Sequence, residues 1–169
     1  KMGKVLNACA LLHFPELNIQ YISDYLGFTN VEDFYRVFKR YRKVSVREYQ
    51  TKNIGCGAQM QSGEESLQIL EYLFLHFQKP FQMKEMETEM KKKESLIERR
   101  ARETFGRSIQ ELLEEIRIRI ACSYLSATDR TVTQISSDVG FGSIFSFQRS
   151  FSKYMNQTPS EYRRFHQCK

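Results

Sequence analysis

Residues 21–28 read YISDYLGF and residues 134–141 read QISSDVGF, and the offset of 113 between them holds without a gap well beyond both segments. Ala8 and Cys9 fall on Ala121 and Cys122, Leu12 on Leu125, Phe34 on Phe147, Arg36 on Arg149 and Phe38 on Phe151. Tyr41 falls on Tyr154, and Glu48-Tyr49 on Glu161-Tyr162. Chance does not keep apolar and polar positions in one register over such a length, so the chain contains a duplicated unit.

A third, weaker copy shows through its helix starts. Ser45, Ser108 and Thr158 are each followed three residues later by glutamate, at Glu48, Glu111 and Glu161. In this capping-box spacing the hydroxyl and the carboxylate satisfy orphan N–H groups at a helix N-terminus. Pro159 sits at the first helical position, where a missing N–H does least harm. Seven residues before each cap lies Phe38, Ala101 or Phe151, and four residues earlier again Phe34, Ile97 or Phe147. Each cap therefore follows a helix that buries an i, i+4 pair.

Apolar residues recur throughout at helical rather than alternating spacing, and only three prolines and eight glycines interrupt 169 residues. The chain reads as all-α. One stretch breaks the pattern, Asn53-Ile-Gly-Cys-Gly-Ala-Gln-Met-Gln-Ser-Gly63. Its glycines and polar neighbours predict a flexible linker over 53–63, dividing residues 1–52 from residues 64–169.

The repeated unit reads as a helix-turn-helix. In the last copy a helix carries Val132, Ile135, Ser136 and Val139, Gly140-Phe141-Gly142 turns, and Ser143 caps a second helix to about Tyr154. Glycine at 140 suits a positive-φ turn position. The first copy repeats this with Ile19, Ile22, Ser23, Leu26 and Gly27, then Thr29 or Asn30 as cap. The middle copy has Met83, Met86 and Met90 followed by Lys91-Lys92-Lys93, with no glycine and so a less favourable turn. At 100° per residue Phe147, Ser150, Phe151 and Tyr154 face inward, and Phe145, Arg149, Ser152 and Lys153 face out. An exposed Arg beside an aromatic suits a major groove, since Arg bonds guanine bidentately and an aromatic touches a thymine methyl.

Charge adds modest support. Lys plus Arg number 26 against 20 for Asp plus Glu, a formal +6, which fits a polyanion without requiring one. No apolar run reaches the roughly 18–20 residues of a membrane span, and no secretory signal is visible, so a cytoplasmic chain is expected. Cys9, Cys56, Cys122 and Cys168 are far apart, which predicts free thiols rather than a zinc site. His13, His76 and His166 have no partner at ligand spacing. No nucleophile, base and orienter can be nominated, so neither an enzyme, a cofactor nor a metal is expected.

Residues 64–169 resemble the DNA-binding domain of AraC/XylS-type transcription regulators. The resemblance is carried by Ile116-Arg-Ile-Arg-Ile-Ala-Cys-Ser-Tyr-Leu-Ser-Ala-Thr-Asp129 and Val132-Thr-Gln-Ile-Ser-Ser-Asp-Val-Gly-Phe-Gly142. It continues through Phe147, Arg149 and Phe151 to Thr158-Pro-Ser-Glu-Tyr-Arg163. It implies homeodomain-like helix-turn-helix units, two of them joined by a long linker helix, here from about Ser108 to Ser126. Nineteen residues make a rod of roughly 28 Å, and successive major-groove faces lie about 34 Å apart. One polypeptide would then place two recognition helices in adjacent grooves of double-stranded DNA, binding a specific sequence to regulate transcription as an activator, with RNA polymerase as a further partner. The resemblance implies base reading by Ile144, Phe145 and Arg149, phosphate bonds from Ser143 and Ser146, and Lys153 on the same side. In the middle unit the matching positions are Ser95, Glu98 and Arg99, with Lys92, Lys93 and Arg102 nearer the backbone. Ala101 stands where the family usually has a large apolar residue and Lys91 where it usually has glycine. The middle unit is thus expected to be looser, or mainly a phosphate grip.

Residues 5–50 resemble the back half of the same domain, giving an N-terminal half-domain: the end of a linker helix plus one helix-turn-helix. Either a longer protein continues upstream or the half-domain is a fused duplicate. Its exposed face is Glu32, Arg36, Lys39 and Arg40, with Asp33 beside it. Carboxylates at the groove-facing start repel phosphate, although Glu accepts from cytosine N4. A structural or protein-contact role and a DNA-reading role both remain open for it. For the chain as a whole the alternative is a protein-interaction module whose DNA reading has degenerated. The family's usual effector-binding or dimerisation domain has no counterpart in these residues and is expected outside this chain.

Overall fold

Three four-helix units built on one plan account for the described residues. The structure is a computed structural model that describes residues 2–14, 17–54 and 64–167, with helices and no strand among them. The chain divides into two compact parts, Lys1–Ser62 and Gly63–Lys169. The first holds α1 (Met2–Leu11), α2 (Ile19–Tyr25), α3 (Val31–Arg42) and α4 (Val46–Ile54). The second holds α5 (Glu64–His76), α6 (Met83–Met90), α7 (Glu94–Phe105), α8 (Ile109–Ala127), α9 (Val132–Asp138), α10 (Ile144–Met155) and α11 (Pro159–His166). Helix α4 continues through Asn53 and Ile54, because nothing before Gly55 stops it. The rest of the expected linker, with Cys56, lies outside the described residues, as does Cys168.

Each unit has a leading helix, a short helix and a twelve-residue helix joined by a turn, and a closing helix. Helix α8 serves twice: it closes the unit of α5–α7 and leads the unit of α9–α11. It starts and ends one residue later than the expected Ser108–Ser126, with Ser108 as its N-cap. All three expected capping boxes form. Ser45 Oγ accepts from the Glu48 amide at 3.1 Å while Glu48 Oε2 accepts from the Ser45 amide at 2.7 Å. The Ser108–Glu111 and Thr158–Glu161 pairs repeat the arrangement. The amides they accept from hold the carboxyls of Glu48, Glu111 and Glu161 below the usual carboxylate range. A fourth box, Thr131 with Gln134, opens α9. Its T-x-x-Q spacing was visible in the sequence.

The 113-residue repeat becomes a repeated aromatic ladder. Phe28–Phe34, Phe34–Phe38 and Phe38–Tyr49 have ring centroids 5.3, 5.7 and 5.5 Å apart. Phe141–Phe147, Phe147–Phe151 and Phe151–Tyr162 stand at 5.3, 5.6 and 5.6 Å. Phe34, Phe38, Phe147 and Phe151 are fully buried, each contributing about 1.5–3 kcal/mol by leaving water. Cys9 and Cys122 are buried free thiols at matching positions of the two copies, and burial pushes the Cys122 thiol up to about 12. The middle unit replaces the ladder with Met86, Ile97 and Ala101, all buried, and ties α5 to α7 through Ser66 Oγ and Thr104 Oγ1 at 2.8 Å. A cavity of about 140 Å3 lies beside Ile97, lined also by Ile69, Met90 and Leu96.

The turn of the middle unit is closer to its siblings than its sequence suggests. An N–H donates to a carbonyl five residues back at Phe28→Ser23, Lys92→Glu87 and Phe141→Ser136, at 3.0, 3.1 and 3.0 Å. The left-handed residue inside that loop is Gly27 (φ 66°), Lys91 (φ 52°) and Gly140 (φ 89°). Lys91 therefore takes the glycine conformation against its own preference, because the bond to Glu87 closes the helix end. Lys91→Gly is expected to stabilise the Gly63–Lys169 part by about 0.5–1 kcal/mol, relieving the left-handed strain of an exposed side chain. Urea melts of the two proteins would check this, and a destabilised variant would show that Lys91 contributes more than its backbone.

Candidate nucleic-acid interface

Helices α3, α7 and α10 are each twelve residues long, and each ends on a left-handed residue, Lys43, Gly106 or Asn156. The sixth residue of each is an arginine: Arg36, Arg99 and Arg149. Their electrostatic settings differ.

Helix α10 presents an uncompensated face. Phe145 is 80% exposed at its first turn, a placement that costs hydration for no internal contact. Arg149 is exposed one turn further on, with no ion pair among the described residues. Ile144 is half-buried. Ser143 accepts from the Ser146 amide at 3.2 Å as N-cap and donates to Ser146 Oγ at 3.0 Å, leaving the exposed Ser146 hydroxyl proton available. No carboxylate occurs on α10. The helix is mounted on α8 through Glu114, which accepts from the buried Ser150 hydroxyl and lies 3.3 Å from the Tyr154 hydroxyl. Lys153 also reaches Glu114, at 3.5 Å, while staying mostly exposed. Burial and Glu114 push the Tyr154 phenol above its ordinary range. Gln148, absent from the expected base-reading set, is exposed beside Arg149. The same helical wheel that selected Arg149 places it on this face, and Gln bonds adenine bidentately.

Helix α7 is internally neutralised. Three glutamates offset its three arginines. Arg99 sits 3.7 Å from Glu103 and Arg102 sits 3.9 Å from Glu98. Glu98 is turned toward α8, where Oε1 accepts from the Ile109 amide at 3.3 Å. The matching position in the last unit is Pro159, which has no amide to satisfy, and this frees Gln148 from the same duty. Lys92 is held by Glu65 of α5, which also takes Arg100 at 3.0 Å. Both cations hold the Glu65 carboxyl below its usual range. Lys93 is the N-cap residue without a side-chain cap bond, and Glu87 accepts the Glu94 amide in its place at 2.6 Å. Lys93 and Ser95 remain exposed at the start of α7.

Helix α3 carries acids where α10 carries Phe145 and Ser146: Glu32 and Asp33. Arg36 is 79% exposed, yet its Nη2 lies 2.5 Å from Asp33 Oδ1. Lys39 and Arg40 are exposed on the following turn. Among the described residues no group of His, Cys, Asp or Glu could hold a metal ion, and no helix is long and apolar enough to cross a membrane.

The family described as "Helix-turn-helix domain" matches residues 87–164. An uncharacterized HTH-type transcriptional regulator of Staphylococcus aureus (strain MSSA476) is 34% identical over 96 residues, covering 57% of this chain and 13% of that protein. The ornithine utilization regulator of Pseudomonas aeruginosa is 34% identical over 65 residues, covering 38% of this chain and 19% of its own length. The chain thus spans less than a fifth of the length of either curated relative. Among solved structures, the C-terminal domain of AraT, a response regulator from Geobacillus stearothermophilus, superposes with a TM-score of 0.61 at 22% identity, over 65% of this chain and 92% of that one. The xylose-binding transcription activator xylR gives 0.59 at 19% identity, over 82% and 40%. ToxT of Vibrio cholerae, as its K231A form, gives 0.57 at 22% identity, over 87% and 52%.

Proposed function

We propose that the chain belongs to the AraC-type helix-turn-helix transcription regulators, and that Gly63–Lys169 reads one duplex site with two unequal recognition helices. Helix α10 discriminates bases through Phe145, Gln148 and Arg149, with Ile144 packed at the helix start and Ser143, Ser146 and Lys153 toward phosphate. Helix α7 mainly holds the backbone through Lys93, Ser95 and the exposed parts of Arg99 and Arg102. The observation that carries this reading is the contrast in charge: Arg149 is free beside an 80% exposed Phe145, whereas the arginines of α7 lie within reach of its own glutamates. One partly exposed acid of the same chain, Glu65, already competes with phosphate for Lys92 and Arg100. Transcription activation and a contact with RNA polymerase follow as part of this proposal.

Binding should weaken steeply with salt as counterions are released. Arg149→Ala is expected to cost about 1–3 kcal/mol of discrimination at one position of the site. Lys93→Ala should instead weaken all sequences alike and lower the salt slope by about one. Selection of binding sites from a random duplex library with each variant gives the answer. An Arg149→Ala variant with unchanged base preference would remove α10 as the reader.

For Lys1–Ser62 the Arg36–Asp33 pair favours the second reading, a protein-contact module. Replacing Lys39 and Arg40 together by alanine should then leave duplex affinity unchanged within about twofold, since exposed charges off the interface are screened. A salt slope reduced by the double variant would put α3 on DNA instead.

A further inference from the structure

Helix α5 ends at His76, and the chain leaves it through Phe77, Gln78 and Lys79. Arg117, midway along α8, binds two carbonyls of this exit. Its Nε donates to Phe77 O and its Nη2 to Lys79 O, both at 2.8 Å. The guanidinium carbon stands 5.8 Å from the centre of the Phe141 ring, in the turn that precedes α10. The neighbouring Gly140 approaches the same loop so closely that a Cβ would lie 2.4 Å from Phe77 O. One cation therefore touches the exit of the front unit's leading helix, the linker helix, and the turn of the back unit.

We propose that Arg117 is a positioning residue that fixes how the front helix-turn-helix sits relative to the back one, and so sets the base-pair spacing the chain accepts between its two half-sites. This rests on both helices meeting DNA, as proposed above. The chemistry suits arginine alone. Its planar fork spans two carbonyls at once and its flat face packs on an aromatic ring, while lysine is a point donor that reaches one. No base-reading side chain takes part in the contact, so its loss should alter where the two helices stand and leave what α10 reads unchanged.

The test uses the full 169-residue chain and a duplex site selected from a random library, then rebuilt with zero to four base pairs inserted or deleted between its halves. The unaltered chain should show one sharp optimum, losing about tenfold per misplaced step, as for a lost base contact. Arg117→Met should keep the base preference of the α10 half-site and flatten the spacing profile, so that shifted sites lose less than threefold relative to the optimum. Arg117→Lys should give an intermediate profile, and it carries the test if the methionine variant does not fold. A merely structural role would instead lower affinity equally at every spacing, and variants with the same optimum and the same steepness overturn the proposal. An unaltered chain that binds with no spacing preference overturns the two-helix reading and this proposal together.

Discussion

Gly140→Ala should destabilise the Gly63–Lys169 part by about 3–5 kcal/mol, while Gly27→Ala, at the matching position of the first copy, should cost Lys1–Ser62 only about 1 kcal/mol. Both glycines have positive φ, 89° and 66°, so both alanines meet the left-handed penalty. What differs is the space. A Cβ at 140 would lie 2.4 Å from Phe77 O, 3.0 Å from Gln78 O and 3.1 Å from Arg117 Nε. The first two atoms are backbone and move only if the exit of α5 moves, which pulls against the grip of Arg117. A Cβ at 27 would meet only Lys4 Nζ at 3.3 Å, the far end of a flexible side chain that donates to Gly27 O at 2.7 Å and can shift while keeping that bond. Thermal unfolding should show a fall of roughly 15 °C or more for the first variant and a few degrees for the second. Equal losses at the two sites would mean that backbone conformation, and not the approach to α5, decides the role of Gly140.

Glu115→Ala is expected to cost about 2–3 kcal/mol. The Glu115 carboxylate is buried inside α8, with Arg107 Nη1 at 2.5 Å and Arg119 Nη2 at 3.4 Å. Removing one member of a buried ionic cluster usually costs about 3–5 kcal/mol, because the partners keep their desolvation without their counter-charge. Here the figure is discounted, since Arg107 is 45% exposed and rehydrates when released. Arg119 is the more confined, 23% exposed and directed also at Met155 Sδ, 3.8 Å away at the end of α10. Glu115→Gln keeps the shape and some hydrogen bonding, and should lose less than the alanine variant. Denaturant titration would check the order, and a loss below about 0.5 kcal/mol for Glu115→Ala, the range of an ordinary surface change, would show that solvent already reaches the cluster.

The two effects have a common functional consequence. Arg107 lies between α7 and α8, Arg119 reaches the end of α10, and Gly140 leads into α10. Each holds a recognition helix against the linker helix. Loosening either should weaken DNA binding through geometry, without removing a group that touches a base.

The sequence by itself determined the units and their ends. The 113-residue register, the i, i+3 caps at Ser45, Ser108 and Thr158, and the phenylalanine pairs four residues apart are local patterns. Their partners are one turn away, so spacing alone encodes them, and the helices formed within a residue or two of the expected bounds. Local spacing also decided which of three equivalent arginines has no acid one turn away on its own helix. Arg149 and Arg36 match in register, but Asp33 stands beside only one of them. Glu98 and Gln148 match as well, yet a proline at 159 in place of an isoleucine at 109 decides which of them has an amide to satisfy. The glycine-free turn at Lys91, read as a weakness, takes the same left-handed bend because the bond from Lys92 to Glu87 demands it. Lys92 meets Glu65 across 27 residues and Arg117 meets Phe77 across 40. Such pairs depend on where whole helices come to rest, and no periodicity along the chain records that.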